Sequence, residues 1–177
     1  MKRRLLLLAT GAAVAALSGC AGPQVADYAG QTPKLDLRSY FNGTLDAYGV
    51  FTDRSGKVVK RFTVLMVCSW TGDDGVLDES FTYSDGTTQK RIWRLHREAD
   101  GHYSGRADDV VGPALGEESG NAFHWKYTLA LPVDGSVYNV QMDDWMYLVT
   151  DKILINKTAM AKFGVHLGDV TLSFTKR

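Results

Sequence analysis

The sequence predicts an all-β chain, an antiparallel up-and-down β-barrel of eight or nine strands with one short helix near the C-terminus. Three observations lead there. Apolar side chains recur at every second position: Leu45, Ala47, Gly49 and Phe51; Phe62, Val64, Met66, Cys68 and Trp70; Phe123, Trp125, Tyr127, Leu129 and Leu131; Tyr138, Val140 and Met142; Val170, Leu172 and Phe174. That period puts one face of each strand into a core. These runs, of roughly ten residues each, are broken by Gly/Asp turn clusters at Asp53–Gly56, Thr71–Gly75, Ser84–Gly86, Ala99–Gly101, Gly112–Gly120 and Pro132–Gly135, the rhythm of a sandwich or barrel. Helical character is confined to Thr158–Phe163, where Gly164 is placed to end a short helix.

The first residues precede this pattern and belong to export. Lys2, Arg3 and Arg4 form a cationic start, and Leu5 to Leu17 is an uncharged apolar run of 13 residues. A bilayer span needs about 20, so the run reads as the core of a signal peptide. Leu17-Ser18-Gly19-Cys20 resembles the bacterial lipobox, in which the cysteine thiol receives diacylglycerol. This organises the chain as signal peptide 1–19, a lipidated N-terminus and tether 20–36 with Pro23 and Pro33, and a barrel domain 37–177. The expected location is the cell envelope, held to membrane through Cys20. Ala21, standing where an inner-membrane retention aspartate would lie, points to the outer membrane facing the periplasm.

Loss of the leader leaves 158 residues carrying 17 basic and 20 acidic side chains, a formal charge of about −3. That suits one domain with a real core, and the lack of a basic patch argues against nucleic acid. Cys68 has no second cysteine once Cys20 is acylated. Between Met66 and Trp70 at strand spacing, it reads as a buried small hydrophobe.

Turn chemistry sets register, and register decides which side chains meet inside. Four-residue loops at Asp53–Gly56 and Pro132–Gly135 pair Ala47 with Phe62 and Tyr127 with Val140. A three-residue loop at Ser84–Gly86, with Gly86 left-handed, pairs Leu77 with Trp93 and Glu79 with Arg91. A three-residue loop at Ala99–Gly101 pairs Leu95 with Gly105 and brings Arg91 to Asp109. Arg91 is thus expected on the inward face between Glu79 and Asp109, facing a ligand or forming a structural ion cluster that closes one end of the barrel, unless a bulge turns the set outward.

The run Gln31-Thr32-Pro33-x-Leu35-Asp36-Leu37, then Tyr40-Phe41-Asn42-Gly43 and Phe51-x-Asp53-Arg54-Ser55-Gly56-Lys57, resembles the start of the DUF3833 lipoproteins. So do Leu77-Asp78-Glu79-x-Phe81-x-Tyr83, Ala107-Asp108-Asp109-Val110-x-Gly112, Gly120-Asn121-Ala122, Asp143-Asp144-Trp145-Met146-Tyr147 and Lys162-Phe163-Gly164. The resemblance covers essentially all of the mature chain. It implies a lipocalin-like or calycin-like barrel and an envelope location. The Gly-x-Trp signature of lipocalins is not intact, since Thr44 and Leu45 follow Gly43.

No nucleophile elbow, phosphate loop, dinucleotide fingerprint or HExxH helix is present, so the expected protein is a non-enzyme with no cofactor. His96, His102, His124 and His166 fall on separate strands, and no metal site is expected. Asp144 shares strand phase with Met142 and Met146 and is expected inward, unless a bulge or strand end leaves it capping backbone amides. The candidate pocket is Trp93, Trp125, Asp144 and Tyr147. The stretch Val110–Asn121 reads as a long loop, either a lid over a barrel mouth or a plain surface connection. The leading function is binding of a lipid or other apolar small molecule. The alternatives are a structural or interaction lipoprotein with a filled barrel, and an enzyme acting on a lipid-derived substrate through Asp143 and Asp144.

Overall fold

A computed structural model describes residues 22–177; the expected signal peptide and Cys20 lie outside them. Ten antiparallel strands follow in order: β1 Gly43–Asp53, β2 Val58–Thr71, β3 Asp74–Tyr83, β4 Thr88–Arg97, β5 Tyr103–Arg106, β6 Ala114–Ser119, β7 Ala122–Val133, β8 Ser136–Leu148, β9 Ile153–Lys162 and β10 Val165–Lys176. Each pairs with the next, and β10 returns to β1, closing the barrel. Closure joins Ala47 to Phe174 and Phe51 to Val170.

The expected up-and-down barrel is therefore present, with ten strands rather than eight or nine. The unexpected strand is β6, inside the stretch read as a loop, Val110–Asn121. The inward positions of β6 are Ala114, Gly116 and Glu118, which give no apolar alternation. Gly116 has a packing reason. A methyl group there would stand 2.6 Å from both Phe123 Cζ and Trp125 Cβ, so large rings on β7 take the space a β6 side chain would have filled.

The short helix expected at Thr158–Phe163 is also absent. Those residues belong to β9 and to the turn after it. Phe163 and Gly164 have φ of 51° and 76°, the left-handed pair of a two-residue hairpin turn. A left-handed glycine serves a helix C-cap and a hairpin equally well. Inward Asn156 and Thr158 hide the alternation of Leu154 and Met160. The helical turns lie instead before the barrel, a 3-10 turn at Val25–Tyr28 and a one-turn α-helix, α1, at Leu37–Tyr40.

Two hairpins have the expected register. Leu77 pairs with Trp93, Glu79 with Arg91, and Gly86 is left-handed at φ 83°; Leu95 pairs with Gly105. Two other registers differ by two residues. The β7–β8 loop is only Asp134-Gly135, with φ of 49° and 80°, so Tyr127 pairs with Met142 and Trp125 with Asp144. In β1–β2, Asp53 and Lys57 close a shorter loop. A bulge at Phe51/Thr52 then pairs Ala47 with Val64 and Gly49 with Phe62. A shift of two keeps every side chain on its face, so the inward set survives both corrections.

The two ends of the barrel differ. Leu35, Leu37, Tyr40 and Phe41 fold under one end and are buried against Leu45, Tyr103, Phe123 and Leu154. Asp36 caps α1 by accepting from Ser39 N at 2.7 Å. The Tyr40 hydroxyl bonds the carbonyls of Lys152 and Phe174, and Trp70 Nε1 donates to Phe41 O at 2.9 Å. The segment expected to be a tether is packed as well. Val25 is buried, and the Tyr28 ring lies 5.3 Å from Tyr147 and 5.8 Å from Trp145. Gly120 admits this strap: a methyl group there would fall 1.6 Å from Tyr28 O. At the opposite end Phe51, Leu131, Met160 and Leu172 remain partly exposed, which leaves a mouth.

No helix among the described residues is long and apolar enough to cross a membrane. The outer face of the strands carries Asp46, Arg61, Asp78, Arg94 and Lys126 together with exposed apolar residues such as Val59, Leu65, Val67 and Val137.

Candidate functional site

The interior toward the mouth holds a cavity of about 100 Å³. Its apolar wall includes Phe51, Phe62, Phe81, Leu129, Met142 and Leu172, with Trp93 and Trp125 below. A smaller void of about 30 Å³ lies deeper, against Leu37 and Phe41 of the plug. The four methionines after Met1 (Met66, Met142, Met146 and Met160) all point into the barrel. Methionine is unbranched and repacks easily around irregular shapes, so the wall can yield to an occupant larger than the resting space.

The aromatic floor is continuous. Trp93 and Trp125 have ring centroids 4.6 Å apart, and Tyr127 stands edge-on at 5.3 Å from Trp93 and 5.5 Å from Trp125. Gly105 on β5 makes room for them, since a methyl group there would meet Leu95 at 2.8 Å and Trp125 at 3.1 Å.

Polar groups converge on this apolar pocket from several strands. Arg91 clasps Asp109, with Nη2 at 2.7 Å and Nε at 2.9 Å from Oδ2 and Nε at 3.1 Å from Oδ1. Its Nη1 lies 3.9 Å from Glu79 Oε2, and its guanidinium sits 5.4 Å over the Phe81 ring. The three residues expected to form an interior polar cluster are therefore together. Burial pushes the Glu79 carboxyl up to about 7, with Arg91 pulling the other way. Burial also works against the Arg91 charge, but the hydrogen bonds to Asp109 and the charge of Glu79 raise its pKa above the usual arginine value.

Asp144 points inward from an unbroken β8 and is 5% exposed. The Asn156 amide donates to it, and Asn156 in turn accepts from Thr158 Oγ1 at 3.2 Å. No salt bridge reaches it among the described residues. Burial pushes its carboxyl up to about 6, opposed by Trp125, Asn156 and Thr158. The Trp125 indole N–H favours the charged form of Asp144 yet has no partner in hydrogen-bonding geometry, and it is buried. The sequence reading misses Asn156 and Thr158 because it places a helix over Thr158. Their shared phase with Leu154 and Met160 is the signal that could have found them.

Of the four residues expected to form a pocket, Trp93, Trp125 and Asp144 line the cavity. Tyr147 does not. It lies three positions beyond Asp144, hence on the opposite face of a strand. There it stacks on Trp145 at 6.0 Å and meets Tyr28. Asp143 faces outward too, 2.8 Å from His124 Nε2 and 3.2 Å from Lys126 Nζ. Asp143 and Asp144 thus occupy opposite sides of the wall, which removes the paired-carboxylate chemistry expected of them. Cys68 is buried inside β2, and burial pushes its thiol up to about 12.

A family model described as "Protein of unknown function (DUF3833)" matches residues 14–176. The chain belongs to the DUF3833 family. No curated protein sequence matches it. Among solved structures, apocrustacyanin C2 is similar, with 16% identity and a TM-score of 0.40, the match covering 85% of this chain and 66% of that one. For this DUF3833 member the closed barrel rests on its own strand pairing.

Proposed function

We propose that this DUF3833 protein is a lipid-anchored envelope lipoprotein whose barrel binds an amphipathic small molecule, apolar tail toward the mouth and polar head at the Trp93–Trp125 floor. The observation that carries the reading is the juxtaposition just described. An apolar cavity with a few converging polar groups is the usual form of a small-molecule site. At about 100 Å³ it is smaller than the roughly 300–1,000 Å³ of drug-sized sites. The resting cavity therefore fits a head group, and the methionines and mouth phenylalanines open for the tail. Acylation at Cys20 and an outer-membrane location facing the periplasm belong to this proposal. Exposed Val137, Tyr138, Phe163 and Val165 near the mouth support entry of the ligand from an apolar phase.

A second reading, an interaction protein with a filled barrel, draws on the small cavity and on the outward shelf of Tyr28, His124, Trp145 and Tyr147. Tryptophan quenching separates the two. A bromine-tipped decanol is expected to quench Trp93 and Trp125 saturably at one molecule per chain. Leu172→Phe, adding bulk at the mouth, is expected to weaken that binding about tenfold. Quenching that never saturates, or that Leu172→Phe leaves unchanged, favours the filled barrel.

A further inference from the structure

The charges around the cavity do not cancel. Among the described residues Arg91 is the single cation in its wall, and Asp109 already holds it through both Nε and Nη2. Glu79 receives only its distant Nη1, at 3.9 Å. Asp144 has no ion-pair partner among the described residues. The groups facing it are Trp125 and Tyr127 from β7, Asn156 and Thr158 from β9, and Glu79 with Arg91 and Asp109 on the far side of the cavity; Asp143 neighbours it in sequence on the outer face. An anionic head group would meet two carboxylates and a guanidinium that is already engaged. A neutral head would leave Asp144 uncompensated. A cation would meet both carboxylates beside the aromatic floor of Trp93, Trp125 and Tyr127. The buried Trp125 Nε1 proton is directed toward Asp144 without reaching hydrogen-bonding geometry, which leaves it open to a ligand oxygen beside that cation.

We infer that the cavity receives the protonated amine of an alkyl amine, best one with a hydroxyl on the neighbouring carbon, with Asp144 and Glu79 as its counter-ions and Trp125 Nε1 donating to the hydroxyl. The assignment rests on the binding reading above and names the ligand class. The ammonium lies at the aromatic floor, and the alkyl chain passes Phe62 and Leu172 to the mouth. Binding of the cation favours ionisation of both carboxyls, which burial otherwise disfavours. Affinity therefore rises between about pH 5 and 7.5, whereas an alkyl carboxylate would bind less well over the same range.

The test is calorimetric titration of the purified chain with octylamine, octanoate, octanol and 2-amino-1-octanol. At about pH 7.5 octylamine is expected to bind at least tenfold tighter than octanoate or octanol, and the amino alcohol tighter still. Asp144→Asn is expected to remove most of the amine preference, with the near-ultraviolet circular dichroism of the buried tryptophans showing that the variant is folded. Trp125→Phe is expected to erase the gap between amino alcohol and amine. Equal or tighter binding of octanoate or octanol overturns the amine assignment and leaves the binding reading standing. Binding of none of the four overturns the binding reading, and this assignment with it.

Discussion

Replacing Arg91 with methionine is expected to destabilise the barrel by about 3–5 kcal/mol at neutral pH, the usual cost of leaving buried charges unpaired. Methionine matches the length of the arginine stem, so little packing is lost and the effect is electrostatic. Glu79 then lacks the cation beside it, and Asp109 loses its bidentate partner. For a domain of this size the loss corresponds to a fall in Tm of about 10 °C. The cost is expected to shrink to about 1 kcal/mol when Glu79→Gln and Asp109→Asn accompany it, because well-packed neutral side chains often replace a buried ion pair without penalty. Thermal unfolding of the single and triple variants measures both. A single variant as stable as the parent would mean that the cluster is solvated and is no part of an interior site.

Asp144→Asn has the opposite sign. An acid whose pKa is raised on folding keeps its proton in the native state after the unfolded chain has released it. The native barrel is therefore destabilised progressively as pH rises from the ordinary aspartate range, near 4, to the folded value of about 6, and the penalty is constant above that. At about 1.4 kcal/mol per pH unit across that interval, the penalty reaches about 3 kcal/mol at pH 7. Asparagine keeps the shape and can still accept from Asn156, so the variant escapes that penalty. Relative to the parent, it is expected to be more stable by about 2–3 kcal/mol at pH 7 than at pH 3.5. Denaturant unfolding across that range is the measurement. A difference that does not change with pH would mean that Asp144 is not held in an apolar interior. Glu79 acts in the same direction over a window ending near 7, with Arg91 opposing, so a residual slope is expected in Asp144→Asn.

These two residues show how far the sequence can be read. The Glu79–Arg91–Asp109 cluster is legible because Ser84-Asp85-Gly86 admits one loop that keeps Trp93 opposite an apolar residue, and that choice also fixes Arg91. Asp144 is legible from its spacing to Met142 and Met146. Tyr147 is misplaced when proximity in sequence is read as proximity in space; an odd offset along a strand means the other face. The strand β6 escapes because Gly116 stands where an apolar residue would mark the pattern, its space being filled by Phe123 and Trp125. The packed segment 22–36 escapes for a related reason. Its buried side chains Val25 and Leu35 follow no period, because an irregular strap takes its contacts from the barrel it crosses. The expected function rests on the lipocalin-like shape and the Cys20 anchor, because no residue pattern in the chain names a reaction.

The most direct test of the binding reading is mass spectrometry of whatever the full-length protein carries when purified from its own membrane and then unfolded in organic solvent. The expected result is one class of amphipathic small molecule at close to one per chain, depleted in a Leu172→Phe preparation. A folded parent protein that releases nothing, or the bulk membrane lipid mixture in amounts that Leu172→Phe does not alter, would contradict it.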